Sequence, residues 1–255
     1  MVRELRRLLI SRERLTAAAE GLLALSADET RYLERVLRYR PGDRFAVVDG
    51  AGALWSARLG DDRRAVLEQS LAAPLQQRPR PQPQLVLAAA VVKRDFEVVV
   101  RMAVELGVDR LIPLLSERTA VQGQLRPDRW RSIAAEAAEQ CERLWQPEIE
   151  APMGLADLLA SDEPGGLNLW ASARGEAGTD LGALLDQVNL AGEPRPAVLR
   201  LACGPEGGWS EAEEQLALER GWRPIGLGPR ILRSSTACVA GLSALSLWRS
   251  RHCGA

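Results

Sequence analysis

The sequence predicts an α/β protein: a small β-rich N-terminal domain, then a larger domain built on a mostly parallel sheet. Three observations carry this. LVLAAAVV at 85–92 is an unbroken apolar run, as expected of a strand buried on both faces. Beyond it, apolar runs alternate with helical stretches, the pattern of a parallel sheet flanked by helices. PLQQRPRPQP at 74–83 carries four prolines and no apolar periodicity, which predicts an extended linker because proline removes backbone donors and restricts its neighbours. The domains are therefore placed at 1–74 and 85–255, joined by a linker at 75–84.

In the first domain, Asp28 to Arg40 has Leu33, Val36 and Leu37 on one helical face behind a Ser26 or Asp28 cap. Pro41-Gly42-Asp43 makes a turn, and FAVVDGAGALWSARL reads as two short strands around Asp49-Gly50. Weak alternation continues to Leu71. In the second domain, helices are expected at Phe96–Leu106 (ending at Gly107), Asp128–Arg143, Glu211–Arg220 (ending at Gly221) and Ser235–Arg249. Strands are expected at Arg110–Leu115, Leu167–Ala171 and Val198–Cys203, with a very short one at Ile225.

Composition narrows the chemistry. Hydrophobic residues make up 46% and charged residues 26%, as in ordinary globular proteins. No apolar run approaches the roughly 20 residues of a membrane span, and the N-terminus lacks a signal peptide's apolar stretch, so a cytoplasmic protein is expected. The four cysteines form no C-x-x-C pair and the one histidine, His252, lies almost at the end. Zinc or another metal, a disulfide framework and histidine-dependent triads are therefore not expected. Residues 1–80 hold 15 basic and 11 acidic groups against 18 and 23 in the rest. Every basic residue except Lys93 is arginine, the side chain suited to gripping phosphate.

Two segments carry the candidate chemistry. In Leu199–Glu213 a buried strand runs into Gly204-Pro205-Glu206-Gly207-Gly208, and a helix opens at Ser210 with Glu213 completing a capping box. Ligands of open α/β sheets bind at such loops, and paired glycines let amides approach closely. The loop matches neither a dinucleotide fingerprint nor a P-loop. In Ile225–Ala237 a short strand meets Gly226, Gly228 and Pro229, passes Arg230 and Arg233, and enters a helix near Ser234 or Ser235. Taken singly, a Gly-Gly pair reads as a tight turn and two loop arginines as solvated charges.

GPEGGWS (204–210) followed by LGPRILRSSTA (227–237) resembles the paired loops of the SPOUT-superfamily methyltransferases. More closely, it is similar to the bacterial enzymes that methylate a uridine N3 in 16S small-subunit ribosomal RNA. The likeness extends along the chain. TRYLERVLRYRPGD (30–43) resembles that family's N-terminal RNA-binding motif, KRDFEVVVRMAVELGV (93–108) and PLLSERT (113–119) the start of its catalytic domain, and RWRSIAAEAAEQCERLWQPEI (129–149) its central helix. Two positions depart: Ser235 stands where the family usually has Glu, and Glu142 where it usually has Gly.

The resemblance implies a C-terminal trefoil knot, a PUA-like N-terminal domain, a homodimer and S-adenosylmethionine as cofactor. Leu201, Gly204, Pro205, Glu206, Gly207, Gly208, Leu227, Gly228, Arg230, Ile231, Leu232 and Thr236 would surround that cofactor. Arg35, Arg38, Arg118 and Arg230 would hold RNA. Uracil N3 is a weak acid, so a cation that stabilises the developing anion helps, and Arg233 is chosen for that role. Glu206 is the nearest candidate base by motif, with capping of the loop amides as its other reading. Two other readings stand beside the methyltransferase: a non-catalytic RNA-binding relative that keeps the cofactor pocket, and an unrelated α/β enzyme with a nucleotide-like ligand.

Overall fold

Alternating apolar residues set the N-terminal strands. The computed structural model describes residues 5–18, 21–120, 125–161, 163–172, 179–190 and 195–253. One compact unit comprises residues 1–80 together with 138–146. Its elements are β1 (Arg7–Leu9), α1 (Arg12–Thr16), β2 (Leu22–Ala24), α2 (Ala27–Arg31), β3 (Arg44–Val48), β4 (Ala53–Leu59), β5 (Arg64–Leu67) and β6 (Gln76–Gln77). The strands form one sheet in the order β1-β3-β4-β5-β2, with β6 paired to β4. Phe45, Val47, Trp55, Ala57 and Leu59 face one core with Leu23 and Leu33, while Ala46, Val48 and Leu54 face Leu144 on the other side. Period-two alternation thus serves two apolar layers.

The helix expected over 28–40 is shorter than its periodicity suggests. Ser26 caps α2 through a box with Glu29, but after Arg31 the chain widens into a π-turn over Tyr32–Val36. Arg38 then takes a left-handed conformation (φ 58°), and the Tyr39 amide donates to the Leu33 carbonyl. This closure keeps Leu33 in the core with Tyr32, Leu37 and Tyr39 against it, a tertiary demand that the helical pattern does not contain. The start of the proline-rich stretch is likewise drawn into the sheet, where Gln76 and Gln77 pair with Leu54 and Ala53.

Residues 138–146 contain a left-handed position at Glu142. Glu142 has φ 61°, a region where glycine is at ease and other side chains are strained. Arg7 offsets the strain by donating NH1 to the Glu142 carbonyl and placing NH2 3.0 Å from its carboxylate. Glutamate at this left-handed position thus ties the segment to β1.

The second unit comprises residues 81–137 and 147–255. Its elements are β7 (Gln84–Ala90), α3 (Phe96–Glu105), β8 (Arg110–Leu115), α4 (Pro127–Gln140), β9 (Glu148–Ile149), β10 (Met153–Gly154), α5 (Leu155–Ala160), β11 (Gly166–Ala171), β12 (Thr179–Asp180), α6 (Leu181–Leu190), β13 (Val198–Cys203), α7 (Glu211–Glu219), β14 (Arg223–Gly226) and α8 (Ser234–His252). The sheet runs β10-β8-β7-β13-β11-β14-β12, with β9 beside β8, and every pairing is parallel. Leu85 to Ala88 are wholly buried, as the unbroken apolar run predicts.

α4 stops at Gln140 rather than Arg143, and α8 is longer than expected at both ends. α8 packs against β7, β13 and α3. Near its end the buried Arg249 donates to Asp109 at 2.5 Å and to the carbonyls of Gly107 and Pro83. Asp109 also accepts from the Leu85 amide at 2.9 Å. One ion pair therefore clips the last helix to the beginnings of β7 and β8.

Candidate functional site: the loops at the carboxyl ends of the strands

All strands of the second sheet are parallel, so the loops after β7, β8, β13 and β14 leave from one edge. Segment 173–178, which follows β11, lies outside the described residues. The loop after β13 is held at its far end by Trp209. That indole stacks on Trp170 with ring centroids 4.0 Å apart and donates to the Ala171 carbonyl at 3.0 Å. Gly204 makes room for it, because a Cβ there would come within 2.8 Å of the Trp209 ring. Ser210 caps α7, and the Glu213 carboxylate accepts from the Ser210 amide and, with its other oxygen, from the Glu117 amide, both at 2.8 Å. The turn after β8 is thereby tied to the start of α7.

Arg118 in that same turn donates NH1 to the carbonyls of Gly207 (3.0 Å) and Trp209 (2.9 Å). Its guanidinium therefore grips the glycine loop from beneath. Ser234, the first residue of α8, donates its hydroxyl to the Gly204 carbonyl at 2.6 Å and so joins the loop after β14 to the loop after β13. Gly241 completes the junction: α8 passes so close that a Cβ there would meet the Leu201 side chain at 2.5 Å and that of Leu227 at 3.5 Å. Both Leu201 and Leu227 thus pack against one helix.

Between these fixed points the backbone is open. Gly208 (φ 70°) and Gly228 (φ 105°) hold left-handed conformations, and a Cβ at either, or at Gly226, would meet nothing within 4 Å. Pro205 is buried and Leu227 and Leu232 are half-buried, whereas Glu206, Gly207, Arg230, Ile231, Arg233 and Thr236 are exposed. Glu206 and Arg233 make no side-chain hydrogen bond or ion pair among the described residues. The Arg233 backbone caps α8, with its carbonyl accepting from the Ala237 amide at 2.8 Å. Ser235 lies half-buried in the first turn of α8. Arg35 and Arg38 are exposed on the N-terminal unit.

A cysteine nucleophile is not offered here. A hydrogen bond to Cys238, and then burial, push the Cys203 thiol well above its usual value, so it stays protonated at neutral pH. Ser234 and Trp209 were not singled out as site residues from sequence. Nothing local marks them, since each acts on a residue distant along the chain. Among the described residues no three His, Cys, Asp or Glu side chains gather as a metal site requires, and no helix is long and apolar enough to cross a membrane.

The comparison with known proteins fits this arrangement. Residues 78–246 match the model of an RNA methyltransferase domain, two thirds of the chain. The chain belongs to the RNA methyltransferase family. Residues 25–68 match the RNA methyltransferase PUA domain, so the N-terminal unit is PUA-like. Among curated relatives of this family member is the ribosomal RNA small subunit methyltransferase E of Synechocystis, 38% identical over 89% of this chain and 73% of the relative. The protein of that name from Rickettsia conorii is 28% identical over 92% of this chain and 93% of its own. Among solved structures, the ribosomal RNA small subunit methyltransferase E of Neisseria gonorrhoeae, bound to S-adenosyl methionine, superposes with a TM-score of 0.77. It is 27% identical and covers 96% of this chain and 98% of its own.

Proposed function

We propose that this chain transfers the methyl group of S-adenosylmethionine to N3 of a uridine in 16S ribosomal RNA, acting as a cytoplasmic homodimer. The observation that carries the reading is the junction of the two loops through Ser234 and Gly204, with open glycine backbone on both sides. Amides at Gly207 and Gly228 can approach a ligand there, as a cofactor without phosphates requires, while the Gly208 amide closes the loop on the Pro205 carbonyl at 2.9 Å. The relatives' names supply the substrate class, and they leave the non-catalytic alternative without an observation in its favour. The return of the chain after β14 to lay α8 along β7 and β13 supports a trefoil knot around these loops.

When bound, the cofactor supplies an already electrophilic methyl group. The chain's own residues hold and orient. Arg118 fixes the floor of the loop, Arg233 stabilises the uracil anion as N3 loses its proton, and Glu206, exposed and without a side-chain hydrogen bond among the described residues, stands as acceptor for that proton. Arg230 holds a flanking phosphate, while Arg35 and Arg38 grip RNA on the PUA-like unit. A paired base hides N3, so the target uridine is unpaired or flipped. The deciding experiment offers labelled cofactor to 16S RNA and to assembled small subunits and identifies the methylated base by mass spectrometry. Transfer to uracil N3 is expected. A folded protein that binds the cofactor yet methylates neither substrate would overturn the reading.

Gly208→Val provides a separate check on the pocket. Valine resists a φ of 70° by about 1–3 kcal/mol, and its side chain enters the open space. A strained loop that shifts away should weaken S-adenosylmethionine binding roughly tenfold to a hundredfold by calorimetry. Unchanged affinity in a folded variant would place the pocket elsewhere.

A further inference from the structure

We propose that Lys93 is a further substrate-contacting residue, its ammonium donating a hydrogen bond to a carbonyl oxygen of the target uracil while N3 takes the methyl group. The proposal rests on the uridine-N3 reading above. Lys93 is the chain's one lysine among 33 basic residues. A merely solvated surface charge serves equally well as arginine, and everywhere else this chain uses arginine. At this position the chain carries an ammonium in place of the guanidinium it uses elsewhere. An ammonium is compact and turns three donors freely, whereas a guanidinium is a planar fork that needs room.

Its place in the fold makes that difference matter. β7 is where the path of the chain reverses: β8 follows it on one side and β13 lies on the other. Ligands of open parallel sheets bind at such a switch point, outside the carboxyl ends of the strands. Ala89 pairs with Cys203 and Ala90 with Leu114, so residues 91–95 leave the sheet beside the glycine loop and the Arg118 turn. The segment is anchored on both sides. The Val91 amide donates to the Leu114 carbonyl and the Val99 amide to that of Asp95, each at 2.9 Å, and Val91 and Val92 are buried. Lys93 itself is exposed and makes no hydrogen bond or ion pair among the described residues.

Of the charged groups carried by the turn after β8 and by α7, Arg118 and Glu213 are already committed. Arg118 holds two loop carbonyls, and Glu213 holds two amides. In-line transfer needs N3 about 3–3.5 Å from the methyl carbon, so the uracil must lie against the glycine loops at this edge. As the N3 proton passes to an acceptor, negative charge spreads onto the two flanking carbonyl oxygens. N3 then gives its electron pair to the methyl carbon, and the pair of the carbon–sulfur bond returns to sulfur. Arg233 meets one oxygen from the side of α8, and Lys93 meets the other from the side of β7.

The test uses the full chain with Lys93→Ala, Lys93→Arg and Arg94→Ala, and measures single-turnover methylation of ribosomal RNA at saturating cofactor and RNA. Cofactor affinity and the salt dependence of RNA binding are followed in parallel. Lys93→Ala should lower the rate about 10²-fold with unchanged cofactor affinity. Lys93→Arg should leave most of that loss in place, and the equally exposed Arg94→Ala should keep the rate. A full rate for Lys93→Arg overturns the proposal. So does a Lys93→Ala variant that loses only RNA affinity and salt dependence, which marks a phosphate grip. Transfer by the unaltered chain alongside undiminished variants removes Lys93 alone, whereas no transfer by the unaltered chain removes the uridine-N3 reading with it.

Discussion

Arg233→Ala is expected to lower the single-turnover methylation rate about 10²–10³-fold while leaving S-adenosylmethionine affinity nearly unchanged. Arg233 is held by its backbone, as the cap of α8, and its exposed side chain has no competing partner among the described residues. The hydroxyl of its neighbour Ser234 is bonded to Gly204, so the start of α8 is fixed against the glycine loop. A cation placed on so rigid a support needs no reorganisation as charge develops on the base, which is why its loss falls on the rate. Arg233→Lys should recover part of the loss, since a point charge replaces only some of what a planar fork does. Saturating both substrates separates this effect from binding. A near-normal rate for Arg233→Ala would reduce Arg233 to a solvated helix-entry charge and leave positioning by the loops as the main contribution.

The largest effect on stability is expected at Arg249. Arg249→Met keeps most of the side-chain volume but leaves Asp109 buried without its cationic partner. The Asp109 side chain is 2% exposed and that of Arg249 8%. Breaking one member of such a pair typically costs about 3–5 kcal/mol, because the remaining charge stays in a poor solvent for it. Against a total stability of about 5–15 kcal/mol this is a large fraction. The carbonyls of Gly107 and Pro83 lose a donor as well. Denaturant unfolding should show the loss directly, and the double variant Asp109→Asn, Arg249→Met should regain a good part of it. A single variant within about 0.5 kcal/mol of the parent, the range of ordinary surface substitutions, would show that the clip is not what holds α8 to the sheet.

Much of the catalytic unit was legible because its signals are local. Arg110–Leu115 and Val198–Cys203 have the expected bounds, since each is an apolar run closed by a turn. The capping box at Ser210 is read from two residues three apart, and it forms. α5 and α6 were not foreseen. α5 is a six-residue helix with no side-chain cap, whereas α6 buries Leu181, Leu184 and Leu185 at helical spacing, a local signal that was present and not read. The short strands β1, β2, β6, β9, β10 and β12 were also missed, because two or three residues carry no period and pair only where a neighbouring strand offers its edge. Glu142 shows a different limit. A glutamate does not signal the left-handed backbone found there, and only the contact with Arg7 explains how it is tolerated.

For the candidate site, the sequence by itself singled out the two segments to which the proposed chemistry is assigned. Two glycine-bearing loops, each following a strand and leading to a helix, are local patterns of residue type. Only the tertiary structure decided how those loops are assembled. Arg118, expected to hold phosphate, is engaged on the carbonyls of Gly207 and Trp209, 89 and 91 residues away. Ser234 reaches Gly204 across 30 residues, and Trp209 reaches Ala171 across 38. Residues 138–146 join the N-terminal unit although residues 81–137 of the second unit come between in the chain. Local propensity and capping depend on neighbours within about one turn and can be read along the chain. Which distant carbonyl a buried donor finds depends on sheet order and helix packing, and those are settled only when the whole fold closes.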